Sequence, residues 1–311
     1  MPDPLHLAGR RVLVTGASGL LGFALTRELQ EAGARVCGVW STHPVSGACA
    51  ESIRCDLRDR EAVAEILVQT TPEVVVHAAA LTDVGLCESD PALADAVNVQ
   101  ATRHLAMEAA RAGAALVCVS SDAVYGDAAQ PHHEDDACQP LSVYARTKLA
   151  GEEAALRHAP GALVLRTTIV GTAPGDTKSL VAWLLRSFRE GREVCGFQDV
   201  DFSPLFTTDF SRLLIAAVRL RLAGIWNLGA SDACSKFHFA RRLAEALDFD
   251  PHLVQPGKLA DAALRGPRCF QSALDSRRIA TALGHALPSV DEGVESFAAA
   301  FRDEAVPAAA I

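Results

Sequence analysis

Residues 12–22 read Val-Leu-Val-Thr-Gly-Ala-Ser-Gly-Leu-Leu-Gly, and Leu21, Leu25 and Leu29 then recur every four residues. No other feature of the chain restricts its fold as much. An apolar run without polar alternation is a strand buried on both faces, and a spacing of three or four is a helix with one buried stripe. Glycines at the junction let the first turn of that helix present its free N–H groups to an anion. Gly16 permits the tight turn, Gly19 lets backbone amides approach a pyrophosphate, and Gly22 lets helix and strand pack closely. With Ser18, Leu20 and Leu21 between and beside them, these glycines form an expected dinucleotide cradle.

The same alternation continues. Further β-rich runs lie at 35–39, 74–77, 116–120 and 163–166, with helical patterns at 62–69 and 93–112 between them. Strand–helix alternation of this kind predicts an α/β fold: a doubly wound parallel Rossmann sheet. Residues 1–170 form its dinucleotide-binding domain, completed by about 205–230. Beyond 170 the pattern loosens. Helices are expected at 179–189, 209–222, 235–247, 276–283 and 291–301, a short strand at 225–228, and loops at 171–175, 251–257 and 266–267. Residues 171–204 and 231–311 then make a smaller C-terminal α/β substrate lobe. Ligands of such folds lie in the crevice at the carboxyl edge of the sheet.

Composition narrows the function. The 311 residues are 50% hydrophobic and 22% charged, which suits a packed globule. A net charge of −9 disfavours coating nucleic acid or an anionic membrane. No run of about 18 apolar residues points to a membrane span, and Met1-Pro2-Asp3-Pro4 lacks the basic-then-apolar start of a signal peptide. The nine cysteines include no Cys-x-x-Cys pair. They read as reduced, partly buried thiols of a cytoplasmic protein, with no metal site.

The second strand ends at Trp40, where an acid would bind an adenosine ribose. Without that carboxylate, Ser41, Thr42, His43 and Arg54 are free to hold a 2′-phosphate, so NADP is favoured and NAD stays open. Tyr144 and Lys148 are four apart at the start of an expected helix and therefore share a face. An ammonium beside a phenol favours the phenolate, so Lys148 is expected to depress the Tyr144 pKa and make Tyr144 an exchangeable proton source. Ser121 follows the 116–120 strand at the carboxyl edge, where its hydroxyl can donate to a substrate oxygen. It lies outside any Gly-x-Ser-x-Gly elbow, which argues against a hydrolase nucleophile.

In their order along the chain these pieces resemble the extended short-chain dehydrogenase/reductase superfamily: the three glycines, Asp56-Leu57, His77-Ala-Ala-Ala80, Asn98, Ser121 and Tyr144-x-x-x-Lys148. More closely, the chain resembles the dTDP-4-dehydrorhamnose reductase branch. The segments that carry this are His77 through Glu88, Ser121-Asp122-Ala-Val124, Tyr144 through Glu152, Leu165-Arg166-Thr167, Phe202-Ser-Pro-Leu and Leu274-Asp275.

That resemblance implies an NADP(H)-dependent reductase of a carbonyl, the 4-keto group of a nucleotide-linked deoxysugar, with proton transfer from Tyr144. It gives Ser121, Tyr144, Lys148 and Asn98 the catalytic parts. Asp56, Leu57, Ala78, Ala79, Ala80, Thr167 and Ile169 join Tyr144 and Lys148 against the cofactor, and Thr82, Asp122, Ala123 and Arg268 face the substrate. Asp56 reads equally as a helix cap, and His77 as a satisfied core histidine. The chain departs from the branch at Thr168-Ile169-Val170-Gly171, where aromatics are usual, at Ala123 for Tyr, at Gly85 for Asp, and at Arg268-Cys269-Phe270-Gln271 for Arg-Pro-x-Asn. These positions surround the sugar and nucleotide, so the exact substrate stays open. Two other functions stay open too: an epimerase or dehydratase with retained NAD, and a non-catalytic subunit like the β-subunit of methionine adenosyltransferase. A homodimer is compatible with the amphipathic outer helices.

Overall fold

The structure is a computed structural model that describes residues 6–45, 49, 51–176, 178–262 and 265–305, with 304 and 305 described by backbone alone. The expectation about the first four residues lies outside the described ones. Among the described residues thirteen strands run in chain order: β1 Arg11–Thr15, β2 Arg35–Trp40, β3 Glu51–Arg54, β4 Val74–His77, β5 Ala115–Val119, β6 Leu163–Arg166, β7 Ile169–Val170, β8 Val194–Phe197, β9 Asp201–Phe202, β10 Leu205–Phe206, β11 Gly224–Asn227, β12 Cys234–Ser235 and β13 Val254–Gly257. The helices are α1 Leu20–Glu31, α2 Arg60–Thr70, α3 Val84–Ser89, α4 Pro91–Asp95, α5 Ala101–Ala112, α6 Val143–His158, α7 Leu180–Arg189, α8 Thr207–Arg219, α9 Lys236–Ala246, α10 Arg277–Leu283 and α11 Val290–Ala305.

Seven strands form one sheet in the order β11-β6-β5-β4-β1-β2-β3, and every pairing in it is parallel. The order reverses between β1 and β4, which opens a crevice at the carboxyl edge of the sheet. Both faces are covered. Val12 and Val14 of β1 belong to one apolar cluster with Leu21, Leu25, Phe210 and Val294, whereas Leu13 between them belongs to the opposite cluster with Val63, Leu105 and Val164. That is why the strand sequence is uniformly apolar. This is the doubly wound α/β architecture that the sequence predicts.

Three smaller pairings stand outside the sheet: β10 with β7 and β13 with β8, both parallel, and β12 with β9, antiparallel. The 251–257 segment is thus not simply a loop, because its second half is the strand β13. The expected single helix over 93–112 is interrupted. A π-helical turn, Ala96–Gln100, separates α4 from α5 and carries the buried Asn98. All nine cysteines are free thiols, with Cys37, Cys55, Cys87 and Cys118 buried and Cys195 exposed. Among the described residues no helix is long and apolar enough to cross a membrane.

Candidate active site

The β1–α1 loop is closed by its own backbone. Gly19 N–H donates to Gly16 O at 2.9 Å, and Ala17 N–H donates to Val39 O at 3.1 Å. Gly16 has φ +68°, and a Cβ there would lie 2.8 Å from Ala79 N and Cα. A Cβ on Gly22 would lie 2.0 Å from Gly16 O. No side chain caps α1, so its first N–H groups stay available to an anion. Ser18, Gly19 and Leu20 line a cavity of about 450 Å³ together with Phe23, His43 and residues 173–176. Leu21 differs from expectation: its side chain is buried in the core, which leaves only its backbone to face the cradle.

At the end of β2 the Arg54 guanidinium lies 5.9 Å from the Trp40 ring centre, and its Nε donates to Ser41 O at 3.2 Å. The Trp40 indole N–H is buried and has no hydrogen-bond partner among the described residues. Ser41, Thr42 and His43 are exposed beside it. Asp56 does not cap α2, because Asp59 accepts from Glu61 N and Ala62 N instead. The Asp56 carboxylate bonds Arg58 through its backbone N–H (3.0 Å), Nε (2.9 Å) and Nη2 (2.6 Å), which holds its pKa below the usual carboxylate range. Leu57, expected against the cofactor, instead packs into the core under α2. Ala78 and Ala79 lie against Gly16, and Ala80 follows them half-buried. A cradle that any Cβ would fill, uncapped amides and a donor without a partner at the β2 end fit a dinucleotide whose phosphates these groups would hold.

Ser142 caps α6 by accepting from Ala145 N at 3.1 Å, which places Tyr144 in the first turn. Burial pushes the Tyr144 pKa up to about 12, against a smaller lowering by the neighbouring Ser121 hydroxyl. The expected acidification by Lys148 is not found. One turn below, Lys148 Nζ donates to Val119 O at 2.8 Å, at the end of β5, and burial lowers its pKa. Spacing alone put the two side chains on one face, but the free carbonyl that ends the strand takes the ammonium.

Ser121 Oγ donates to Asp122 Oδ1 at 2.9 Å and accepts from Ala123 N at 3.2 Å. Thr168 donates to the other Asp122 oxygen. Asn98, expected among the catalytic residues, lies buried in the π-helical turn. Its amide accepts from Leu81 N (2.8 Å) and donates to Leu81 O (3.1 Å) and Thr147 Oγ1 (3.0 Å), so it fixes the loop after β4 against α6. His77 is the satisfied core histidine, bonded to Thr15 at 2.8 Å and Thr102 at 2.9 Å, and burial lowers its pKa to about 3.

Thr167 is buried with its hydroxyl unpartnered among the described residues, and Ile169 is half-buried in β7. Thr82 is exposed beyond Ala80, and Ala123 is half-buried beside Ser121. Arg268 is exposed on a segment lying against α3, where a Cβ on Gly266 would lie 2.9 Å from Glu88 Cγ. Among the described residues its Nη1 donates to Gly266 O (3.3 Å) and Pro267 O (3.2 Å) and makes no hydrogen bond to Ser121, Asp122 or Tyr144. Gly85 is where Arg265 packs: a Cβ there would lie 3.0 Å from Arg265 Cβ.

Sequence reasoning missed two features. Beneath the site Glu152 and Arg166, both buried, form an ion pair at 2.7 Å, with Ser120 donating to Glu152. Arg166 in turn lies 4.6 Å from the Tyr125 ring centre. Both residues stand in the segments that carry the resemblance, but nothing local showed that they pair. The other feature is Lys236, whose Nζ lies 3.3 Å from the Phe202 ring centre.

A parallel sheet with this strand order, a glycine cradle at its switch point and Ser121, Tyr144 and Lys148 at its carboxyl edge define an NAD(P)-dependent oxidoreductase of the extended short-chain dehydrogenase/reductase type. The chain belongs to the RmlD substrate binding domain family, whose model matches residues 10–303. It is 30% identical over 294 residues to the probable low-salt glycan biosynthesis reductase Agl14 of Haloferax volcanii, covering 93% of this chain and 98% of that one. It is 34% identical over 284 residues to a dTDP-4-dehydrorhamnose reductase of Mycobacterium tuberculosis, covering 89% of each. Methionine adenosyltransferase 2 subunit beta of Danio rerio is also 34% identical, over 262 residues, with 81% and 79% covered. Among solved structures, a Bacillus anthracis dTDP-4-dehydrorhamnose reductase in complex with NADP superposes with a TM-score of 0.83 at 24% identity, covering 93% of this chain and 98% of that one.

Proposed function

We propose that the chain is an NADPH-dependent reductase of the 4-keto group of a nucleotide-linked deoxysugar, with NADH as a poorer donor. The observation that carries this is the Tyr144–Ser121 pair, two neighbouring hydroxyls at the carboxyl edge of the sheet, where the glycine loop also opens. The bound nicotinamide would supply hydride to the carbonyl carbon. The protein's share is to orient and to move a proton. The raised pKa of Tyr144 keeps its proton in place at neutral pH, so Tyr144 acts as the acid toward the developing alkoxide, and Ser121 is the second donor to that oxygen. Lys148, anchored on Val119 O, would contact the nicotinamide ribose.

The uncapped turn of α1 would hold the pyrophosphate. Trp40, Ser41, Thr42 and Arg54 would hold the 2′-phosphate, since no acid ends β2 to repel it. Residues 171–204 and 231–311 would form the lobe that receives the sugar nucleotide, with Thr82, Asp122, Ala123 and Arg268 toward it. The test is oxidation of NADPH and NADH against a panel of dTDP- and UDP-linked 4-keto-6-deoxy sugars. Turnover with NADPH preferred supports the assignment. Release of stoichiometric NAD from the heat-denatured protein would make it an epimerase or dehydratase instead. The likeness to methionine adenosyltransferase 2 subunit beta favours one second reading, a binding subunit, which an empty panel together with tight NADPH binding would select.

A further inference from the structure

An α-helix begins with N–H groups that no carbonyl of its own can reach, so partners from outside the ladder must meet them. In α6 the cap Ser142 meets the one on Ala145. The one on Val143 is met from another helix: it donates to Glu88 Oε1 of α3 at 2.7 Å. A carboxylate at a helix N-terminus faces the positive end of the dipole, and its hydrogen bond is about twice as strong as one to a neutral acceptor. Among the described residues this amide is the hydrogen-bond partner of Glu88, and no cation pairs with the carboxylate.

The bond falls one residue before Tyr144. The carbonyl of Tyr144 itself is held as well: it accepts from Thr147 Oγ1 at 2.9 Å, and Thr147 Oγ1 accepts from Asn98 Nδ2 at 3.0 Å. Both ties come from the stretch after β4. Asn98 closes on Leu81 N and O, and Asp83 accepts from Leu86 N at 2.9 Å, which caps the helix that carries Glu88. The stem of Glu88 is covered from a third direction. A Cβ on Gly266 would lie 2.9 Å from Glu88 Cγ and 3.1 Å from Val84 Cγ1, so the segment leading to Arg268 rests on that stem. Glu88 therefore stands between the Arg268 segment and the turn that carries Tyr144.

We propose that Glu88 is a positioning residue of the reduction: its carboxylate fixes the first turn of α6, and with it the place where the Tyr144 hydroxyl meets the substrate oxygen. Glu88 touches no reacting atom and acts through Tyr144. The inference rests on the reductase assignment and adds to it a residue that the spacing of Tyr144 and Lys148 does not reveal. Reach and acceptor character can be varied separately. Glutamine keeps an acceptor oxygen at the same reach. Aspartate keeps the charge but is shorter by one methylene, about 1.5 Å. Misplacing a catalytic group by about 1 Å can cost about 10²-fold in rate.

The test is steady-state reduction of a dTDP-4-keto-6-deoxy sugar by NADPH, with NADPH binding measured alongside. The full-length proteins are wild type, Glu88→Ala, Glu88→Asp, Glu88→Gln, Val143→Pro, Tyr144→Phe and the Glu88→Ala/Tyr144→Phe double variant. We expect Glu88→Ala and Glu88→Asp to lower kcat by about 10–100-fold, with the sugar KM and the NADPH dissociation constant within about threefold of wild type. Glu88→Gln should keep most of the wild-type kcat. Val143→Pro deletes the donor and spares the helix. Proline is favoured at the first helical position, and Ser142, at φ −104° and ψ 163°, already has the extended backbone that precedes a proline. It should lose kcat as Glu88→Ala does, and it decides the matter should Glu88→Ala fail to fold. In the Tyr144→Phe background Glu88→Ala should add less than about twofold, because the two act as one unit. Full kcat in Val143→Pro or Glu88→Asp, a Glu88→Gln as slow as Glu88→Ala, losses that multiply in the double variant, or a loss confined to KM would each overturn the inference alone. A wild type that reduces no sugar of the panel overturns the reductase assignment and the inference with it.

Discussion

The Glu152 carboxylate and the Arg166 guanidinium face each other in two-pronged contact, Nη2 to Oε2 at 2.7 Å and Nε to Oε2 at 3.1 Å, with both side chains shut off from water. One comes from α6, the helix of Tyr144 and Lys148, and the other from the end of β6, so the pair ties the catalytic helix to the sheet. Breaking a buried pair leaves an uncompensated charge, which costs more than the pair itself is worth. Glu152→Ala should lower the unfolding free energy by about 3–5 kcal/mol, while Glu152→Leu with Arg166→Met should lose less than Glu152→Ala alone. Urea unfolding of the three proteins checks this, and equal losses for the single and double changes would contradict it.

Tyr144→Phe removes the transferable proton and little else. Turnover should fall by about 10²–10⁴-fold. NADPH affinity, read from the quenching or transfer of tryptophan fluorescence, should change far less. Near-normal turnover would end the part given to Tyr144.

The β2 end should govern cofactor choice. Trp40→Asp places a carboxylate where a 2′-phosphate would come, and should shift the ratio of NADPH to NADH dissociation constants toward NADH by at least about tenfold. Arg54→Ala should weaken NADPH and leave NADH nearly unchanged. Calorimetric titration with each cofactor measures both, and an unmoved ratio in both variants would place the phosphate elsewhere.

Gly22→Ala and Gly19→Ala should part company. The first would set a methyl 2.0 Å from Gly16 O, a backbone atom with nowhere to go, whereas the second would set one 3.2 Å from that atom. We expect Gly22→Ala to lose at least about 3 kcal/mol of stability together with cofactor binding. Gly19→Ala should fold and bind NADPH more weakly. Thermal melting with and without NADPH distinguishes them.

His77 gives a stability test of definite sign. Its pKa in the folded chain is lowered to about 3 from the ordinary 6.5, because the buried imidazole is neutral between Thr15 and Thr102. Below about pH 6.5 the unfolded chain takes up a proton that the folded one refuses, so stability falls as pH drops from 6.5 toward 3 and is unaffected above. The loss attributable to His77 is on the order of 5 kcal/mol at its limit. His77→Gln should flatten the pH dependence of the melting temperature in that window, and a variant as pH-sensitive as wild type would refute it.

What the sequence disclosed and what it withheld divide along physical lines. The strand–helix alternation and the glycine turn are local, and each element carries its own pattern, so β1, β4, β6 and α1 could be read directly. The π-helical turn at Asn98 could not: a stretch rich in alanine looks the same whether or not a turn holds an extra residue. The β8–β13 pair joins Val194 to Val254, two short segments with no mark of their partnership. In the site, Tyr144 and Lys148 were visible through a spacing of four, but the carbonyl of Val119, which claims the ammonium, enters from another element. Lys236 looked like an ordinary first residue of a helix, because its place over the Phe202 ring exists only after β12 has paired with β9.

The contact of Gly16 with Ala78 and Ala79 makes the first loop of the sheet and the loop after β4 a single mechanical part. Anyone transplanting the nucleotide loop of this chain into a new scaffold would have to graft both segments. Bulk added to the alanine tract would jam the phosphate turn without altering a residue that touches phosphate.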